Sequence, residues 1–350
     1  MSDSSNIEWT DATWNPVVGC SRVSAGCDHC YAVGMTRRLE GISKAGGFGL
    51  TGHRAENYRG LTIELPQAAV DRGCGVNGRH FNGEVRCVEE ALDVPLRWKK
   101  PKRIFVNSMS DLFHPKVPFE FINQVFAVMA LNPQHTFQVL TKRPERMAEY
   151  LRYDHADAIL RGTSPRKRII QAACNVDVLR DLAWPIPNVW LGTSCEDQAA
   201  ADERIPYLLQ CPAVVRFLSC EPLLGSIDLG IVGDGLDTHA RSSPAWHTGI
   251  HWVIVGGESG SGALPCDVES IRSIVRQCAE ASVPCFVKQL GSKPYSDTDP
   301  LNGTPMVGRV YESTGGDDFD TYRINDRKGG DPAEWPEDLR VRQMPAGGAA

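Results

Sequence analysis

Six short apolar runs, separated by stretches of helical periodicity or by polar loops, constrain the fold of this 350-residue chain more than any other feature. They are RIFVNS (103–108), TFQVLT (136–141), NVWLGTS (188–194), VVRFLSC (214–220), HWVIVGG (251–257) and PCFVKQ (284–289). Each has the length of a buried strand, and each is nearly continuous in apolar residues rather than alternating with polar ones. Strands of that kind are covered on both faces, which is the habit of parallel sheets. The amphipathic segments 119–131, 144–151, 197–210 and 268–281 supply the covering helices. With a further strand expected near 14–19, about seven βα units result, and the expected fold is α/β, a TIM-like (βα) barrel, full or partial.

Three segments interrupt the alternation and read as insertions: 41–83, rich in glycine and polar residues; 153–187; and 232–249. The barrel domain is expected to span 1–290 and a C-terminal extension 291–350, with Trp335, Leu339 and Val341 as its anchors and a fraying end. Apolar runs such as 125–131 fall far short of the roughly 20 residues needed to cross a bilayer. The polar, acidic start MSDSSNIEWTD lacks the basic and apolar regions of a signal peptide, so a cytoplasmic location is expected. A formal net charge of -6 argues against a broad electrostatic grip on nucleic acid, leaving a local basic pocket or a basic partner protein as the routes to one.

In a βα barrel the loops after the strand C-termini build the site. Here those positions are polar almost without exception: Asn107, Ser108, Ser110, Asp111 and His114 follow one run, and Thr141, Lys142 and Arg143 the next. Thr193, Ser194, Glu196 and Asp197 come after the third, then Glu221, Gly256, Gly257, Glu258 and Ser259, and finally Lys288 and Gln289. Ser110, Thr141 and Asp197 also suit helix caps and turns. Glu221, Glu258 and Lys288 lie beside apolar strands, where an unpaired charge is costly, and a shared polar cavity is expected to gather them. Lys142 and Arg143 are suited either to a carboxylate or phosphate or to an ion pair. The candidate catalytic residues are therefore Asp111, Lys142, Glu221 and Glu258; the candidate cofactor contacts are Asn107, Ser108, Ser194, Gly256, Gly257 and Lys288. The glycines of GGESGSG match neither the dinucleotide fingerprint nor a P-loop.

The strongest chemical signal is GCSRVSAGCDHCYA, in which six residues separate Cys20 from Cys27 and two separate Cys27 from Cys30. In a reducing cytoplasm, closely spaced cysteines bind metal or do chemistry more often than they form disulfides. A closed zinc site would need a fourth ligand, for which His29, Cys74, His80 and Cys87 are within reach in sequence. Three thiolates alone suit a four-iron cluster with one iron left for a small molecule. The isolated Cys174, Cys195, Cys211, Cys220, Cys278 and Cys285 read as small apolar core residues.

Together IEWTDATWNPVVGCSRVSAGCDHCYA, IFVNSMSDLFH, FQVLTKRPERM, VWLGTSCEDQ, EPLLG, WVIVGGESG and WPEDLRVR resemble the phage-associated three-cysteine-motif family, whose members resemble radical S-adenosylmethionine enzymes. The resemblance spans about residues 7–343. It implies a [4Fe-4S] cluster on Cys20, Cys27 and Cys30, with S-adenosylmethionine chelated at the open iron and cleaved to methionine and a deoxyadenosyl radical that abstracts a substrate hydrogen. The superfamily's usual spacing is three residues and then two, and its Gly-Gly-Glu segment follows an early strand; here the first gap is six and Gly256-Gly257-Glu258 follow a late strand. That segment's role in holding the methionine amino group is therefore not carried over to Glu258.

Three functions are compatible with these residues. The first is a radical S-adenosylmethionine-type iron-sulfur enzyme acting on an unknown substrate. The phage setting that the resemblance implies points to a nucleotide, or a nucleic acid delivered by a basic partner protein, as the expected substrate. The second is a non-catalytic binding protein built on zinc or a cluster, and the third a hydrolase using Asp111, His114, Glu221 and a metal.

Overall fold

The predicted alternation takes the form of a parallel sheet in a computed structural model, which describes residues 5, 7–44, 55–71, 73–152, 172, 182–230, 249–260, 262–296, 320–321 and 324–346. Its strands are β1 (Ala12–Trp14), β2 (Arg103–Val106), β3 (Thr136–Thr141), β4 (Val189–Ser194), β5 (Val215–Cys220), β6 (Trp252–Gly256) and β7 (Cys285–Gln289). They hydrogen-bond in that sequential order to give a seven-stranded sheet. The registers are parallel, with Ala12 opposite Ile104, Ile104 opposite Phe137, Phe137 opposite Val189, and Val253 opposite both Leu218 and Cys285. A doubly wound sheet reverses its strand order at a switch point. This sheet never reverses, which matches a partial (βα) barrel.

Helices α1 (Tyr31–Lys44), α2 (Phe119–Ala130), α3 (Pro144–Leu151), α4 (Gln198–Leu209) and α5 (Val268–Glu280) flank the strands. Every residue of β4 and of β6 is buried, the expected result for strands covered on both sides. Local sequence sets the helix starts. Pro144 opens α3 at a position where its missing N–H costs nothing, and the Asp267 side chain accepts the Glu269 amide to cap α5.

The first strand lies earlier than the expected 14–19. Pro16 has no N–H and cannot extend a ladder, so β1 stops at Trp14, and Val17–Val18 pairs antiparallel with Arg86–Cys87 instead. The predicted insertions at 153–187 and 232–249 lie outside the described residues, except for 172, 182–187 and 249. The described part of 41–83 is structured: Thr62–Glu64 pairs antiparallel with Arg79–Phe81, and a short helix covers Gln67–Val70.

The described chain divides into two compact units, one reaching to Thr193 and including Pro206–Arg216, the other comprising Ser194–Ile205 and Phe217–Ala346. Trp14 packs edge-on against Phe137 at 5.8 Å in the first. In the second, Trp252 contacts Phe217 at 5.7 Å and Phe286 at 6.3 Å. The second unit also holds a fully enclosed ion pair, Arg204 to Glu196 at 2.9 Å.

The extension past residue 323 is anchored as expected: Trp335 and Leu339 are fully buried, and Trp335 Nε1 donates to the Gly329 carbonyl at 2.9 Å. The Val287 amide donates to Val341 and the Gln343 amide to Cys285, so the tail runs antiparallel along β7. An edge occupied in this way is protected from stray pairing and is not available for barrel closure. Among the described residues no helix is long and apolar enough to cross a membrane.

Candidate metal centre

Cys20, Cys27 and Cys30 lie on one loop between Val17–Val18 and α1, shaped by features the sequence imposes locally. Gly19 has φ +84, and a Cβ there would stand 2.2 Å from the Glu84 carbonyl oxygen, so only glycine fits. A 3-10 turn over Ala25–Cys27 then leads to Cys30, immediately before the first turn of α1.

The segment read as an insertion forms the wall behind this loop. The Gly83 amide donates to the Cys20 carbonyl at 3.2 Å, and the Gly75 amide to that of Asp28 at 2.9 Å. His80 Nε2 donates to the Cys27 carbonyl at 3.0 Å and His29 Nε2 to that of Gly73 at 2.6 Å. Of the four residues considered as a fourth metal ligand, His29 and His80 thus each have one ring nitrogen engaged with a carbonyl. Cys87 is part of the ladder with Val17. Among the described residues, no three His, Cys, Asp or Glu side chains gather closely enough to share one metal ion.

Each sulfur nevertheless meets its own polar neighbour. Arg143 Nη1 approaches Cys20 Sγ at 3.9 Å, and the Val23 amide donates to Cys27 Sγ at 3.5 Å. Burial raises the Cys30 thiol, a rise opposed by the amides of Ala32 and Val33 at the start of α1 and by the charge of Lys142. Burial pushes the Cys20 thiol up to about 12, with Asp111 adding to the rise and Arg143 opposing it.

Arg143 is held by a network that closes on itself. Its amide donates to Thr141 Oγ1 at 2.9 Å, and Pro144 restricts its backbone from the other side. Asp111 accepts from Arg143 Nη1 at 2.9 Å and from the Lys142 amide at 3.1 Å on one oxygen, and from Thr141 Oγ1 at 2.7 Å and the Phe113 amide at 2.9 Å on the other. Both carboxylate oxygens are therefore engaged in orienting their neighbours. Arg143 Nη2 donates to Ser21 Oγ at 2.9 Å and to the Ser21 carbonyl at 3.1 Å.

His114 completes the cluster in a definite tautomer. Its Nδ1 accepts the Lys116 amide at 3.2 Å, so in the neutral ring the proton sits on Nε2, which faces Ser21 Oγ at 2.9 Å and donates to it. Burial, with Arg143 beside it, pushes His114 down to about 4. A ring that already presents N–H to Ser21 does not withdraw its proton, and Asp111 lies on Arg143 rather than on the imidazole.

The other predicted strand-end residues take several places. Asn107, with φ 60, accepts the Val17 amide on Oδ1 at 3.4 Å. Ser108 Oγ donates to Asn15 at 3.2 Å, and the Ser108 carbonyl accepts from Tyr31 at the head of α1. In the second unit the Ser194 carbonyl accepts from Arg204 at 2.8 Å, and Lys288 pairs with Glu221 at 2.5 Å. Gln289 Nε2 donates to the Gly257 carbonyl at 2.8 Å, while Glu258 accepts the Leu264 amide at 2.8 Å. Lys288 and Glu221 answer one another's charge, and Glu258 shapes its own loop. Cβ atoms at Gly256 and Gly257 would meet the backbone of Gln289 at 3.0 Å and of Leu290 at 2.3 Å, so it is close approach to the chain after β7 that requires glycine there. A cavity of about 330 Å³ lined by Glu145, Arg146, Glu149, Arg152, Tyr207 and Gln210 contains none of these residues.

Sequence reasoning missed Ser21, which lies next to Cys20 and accepts from both Arg143 and His114; it did bring His80 to the cysteine loop, as a ligand candidate rather than as the donor to the Cys27 carbonyl that it is. None of the eleven described cysteines is in a disulfide. A second group, Cys195, Cys220, Cys278 and Cys285, is fully enclosed; the Cys278 thiol is raised by its hydrogen bond to Cys285 and then by burial.

Fold and site define an α/β protein with a sequentially wound parallel sheet and a three-cysteine loop next to its first strand. The chain belongs to the DUF5131 family, described as a protein of unknown function, whose family profile matches residues 4–326. No curated protein and no solved structure matches it.

Proposed function

We propose that this protein is an iron-sulfur enzyme of the radical S-adenosylmethionine type, holding a [4Fe-4S] cluster on Cys20, Cys27 and Cys30 and working in the cytoplasm. The observation that carries this reading is that the three cysteines share one loop in which the Arg143 guanidinium approaches Cys20 Sγ and the Val23 amide donates to Cys27 Sγ. The guanidinium opposes the rise that burial gives the Cys20 thiol, and a bound metal would hold the sulfurs as thiolates. A closed zinc site draws all its ligands to about 2.0–2.3 Å from one centre, whereas the thiolates of a cluster each take a separate iron and need not converge on one point. Three thiolates on one loop, with no fourth cysteine in the same motif, suit a cluster with one open iron, and zinc is the alternative that the metal count separates from it.

The chemistry such a cluster supplies is one-electron reduction of the sulfonium of bound S-adenosylmethionine. The chain's own contribution is to hold the loop rigid through Gly19 and the 73–84 wall, to hold a guanidinium at Cys20, and to keep His114 neutral. Lys142, next to Arg143 at the cysteine loop, remains the charged group proposed to meet S-adenosylmethionine or the substrate, for which free nucleotides are the first class to try. The test is anaerobic incubation of the reconstituted protein with dithionite and S-adenosylmethionine. Methionine and deoxyadenosine should form with wild type and be absent with Cys30→Ala; equal product from both proteins, or none from either, would overturn the reading.

A further inference from the structure

Arg143 occupies an unusual position for a cation. It is largely enclosed, its side chain is 12% exposed, and its guanidinium engages Cys20 and Ser21 of the cysteine loop and Asp111. A surface ion pair would leave it mobile, and a phosphate-binding arginine would present its fork outward. Arg143 does neither: Asp111 takes Nη1 on one side, Ser21 takes Nη2 on the other, and the remaining approach is to Cys20 Sγ at 3.9 Å. Cys27 Sγ takes the Val23 amide at 3.5 Å, whereas Cys20 Sγ is the sulfur that the Arg143 guanidinium approaches.

Hydrogen bonds to the sulfurs and the net charge around them are the protein's principal means of setting an iron-sulfur reduction potential. A guanidinium stays protonated throughout the physiological range, so its effect does not vary with pH. Building on the cluster reading above, we propose that Arg143, positioned by Asp111 and Thr141, sets the reduction potential of the cluster by donating to the Cys20 sulfur. The reduced cluster carries one more electron, and a donor at sulfur stabilises it relative to the oxidised form. Removing the donor makes reduction harder. Asp111 and Thr141 act through Arg143 and are positioning residues.

The experiment uses the full chain, reconstituted anaerobically, with iron and sulfide counted before a redox titration followed by electron paramagnetic resonance. Arg143→Gln should keep the iron count of wild type and move the midpoint to more negative potential. Arg143→Lys, which restores a cation without the fork, should fall between the two. Thr141→Val, which loosens Asp111 and the Arg143 backbone without touching Cys20, should shift in the same direction by less. If Arg143→Gln does not retain iron, the Thr141→Val midpoint decides. Midpoints of Arg143→Gln and Thr141→Val that coincide with wild type overturn this inference alone. Wild type that binds zinc and no sulfide overturns the cluster reading and this inference with it.

Discussion

At the scale of single residues, the loop is organised by groups that hold one another rather than by free reactive side chains. His114 shows this most clearly. Its pKa falls from 6.5 to about 4 in the folded protein, through burial first and the Arg143 charge second. The unfolded chain therefore binds more protons than the folded one between those values, so stability is complete above about pH 6.5 and is lost as pH falls toward 4. Urea unfolding at about pH 7 and about pH 5 should show wild type losing up to about 2 kcal/mol more than His114→Gln. An equal loss in both would show that the imidazole is not held neutral. Little of this was legible in the sequence: TKRPE and NSMSDLFH marked a polar strand end, but a lysine or arginine there suits a phosphate, a surface pair or a sulfur equally well. Only the return of Asp111 and Ser21 to Arg143, across more than thirty and more than one hundred residues, decides among them.

At the scale of elements, the strands were legible because a buried parallel strand needs a continuous apolar run, and β2 through β7 each lie within one. The first strand was misplaced because Val17, Val18 and Gly19 look like a strand and do pair, but in a different ladder beyond Pro16. The excursion to residue 84 was legible through Cys74 and His80 but not in its structure: its apolar residues are few, and its backbone contacts to the cysteine loop leave no hydrophobic period. The tail was partly legible through its aromatic anchor. Trp335 is fully buried, donates to Gly329 and has Arg342 stacked on its ring at 5.1 Å. Trp335→Ala should cost about 3–5 kcal/mol and free the β7 edge for aggregation. Denaturation midpoints and light scattering would check both effects, and a wild-type midpoint would show that the tail is dispensable.

At the scale of the whole molecule, a parallel sheet wound in one direction places the loops that follow its strands where (βα) proteins build their sites. The match to a family of unknown function leaves the chemistry to be argued from residues. The central claim is that Cys20, Cys27 and Cys30 carry a four-iron cluster. Counting iron and acid-labile sulfide per chain after anaerobic reconstitution, in wild type and in a Cys27→Ala, Cys30→Ala variant, tests it most directly. A cluster on these cysteines gives about four irons and as many sulfides in wild type, both lost in the variant. One zinc per chain without sulfide, or iron retained by the variant, would contradict it.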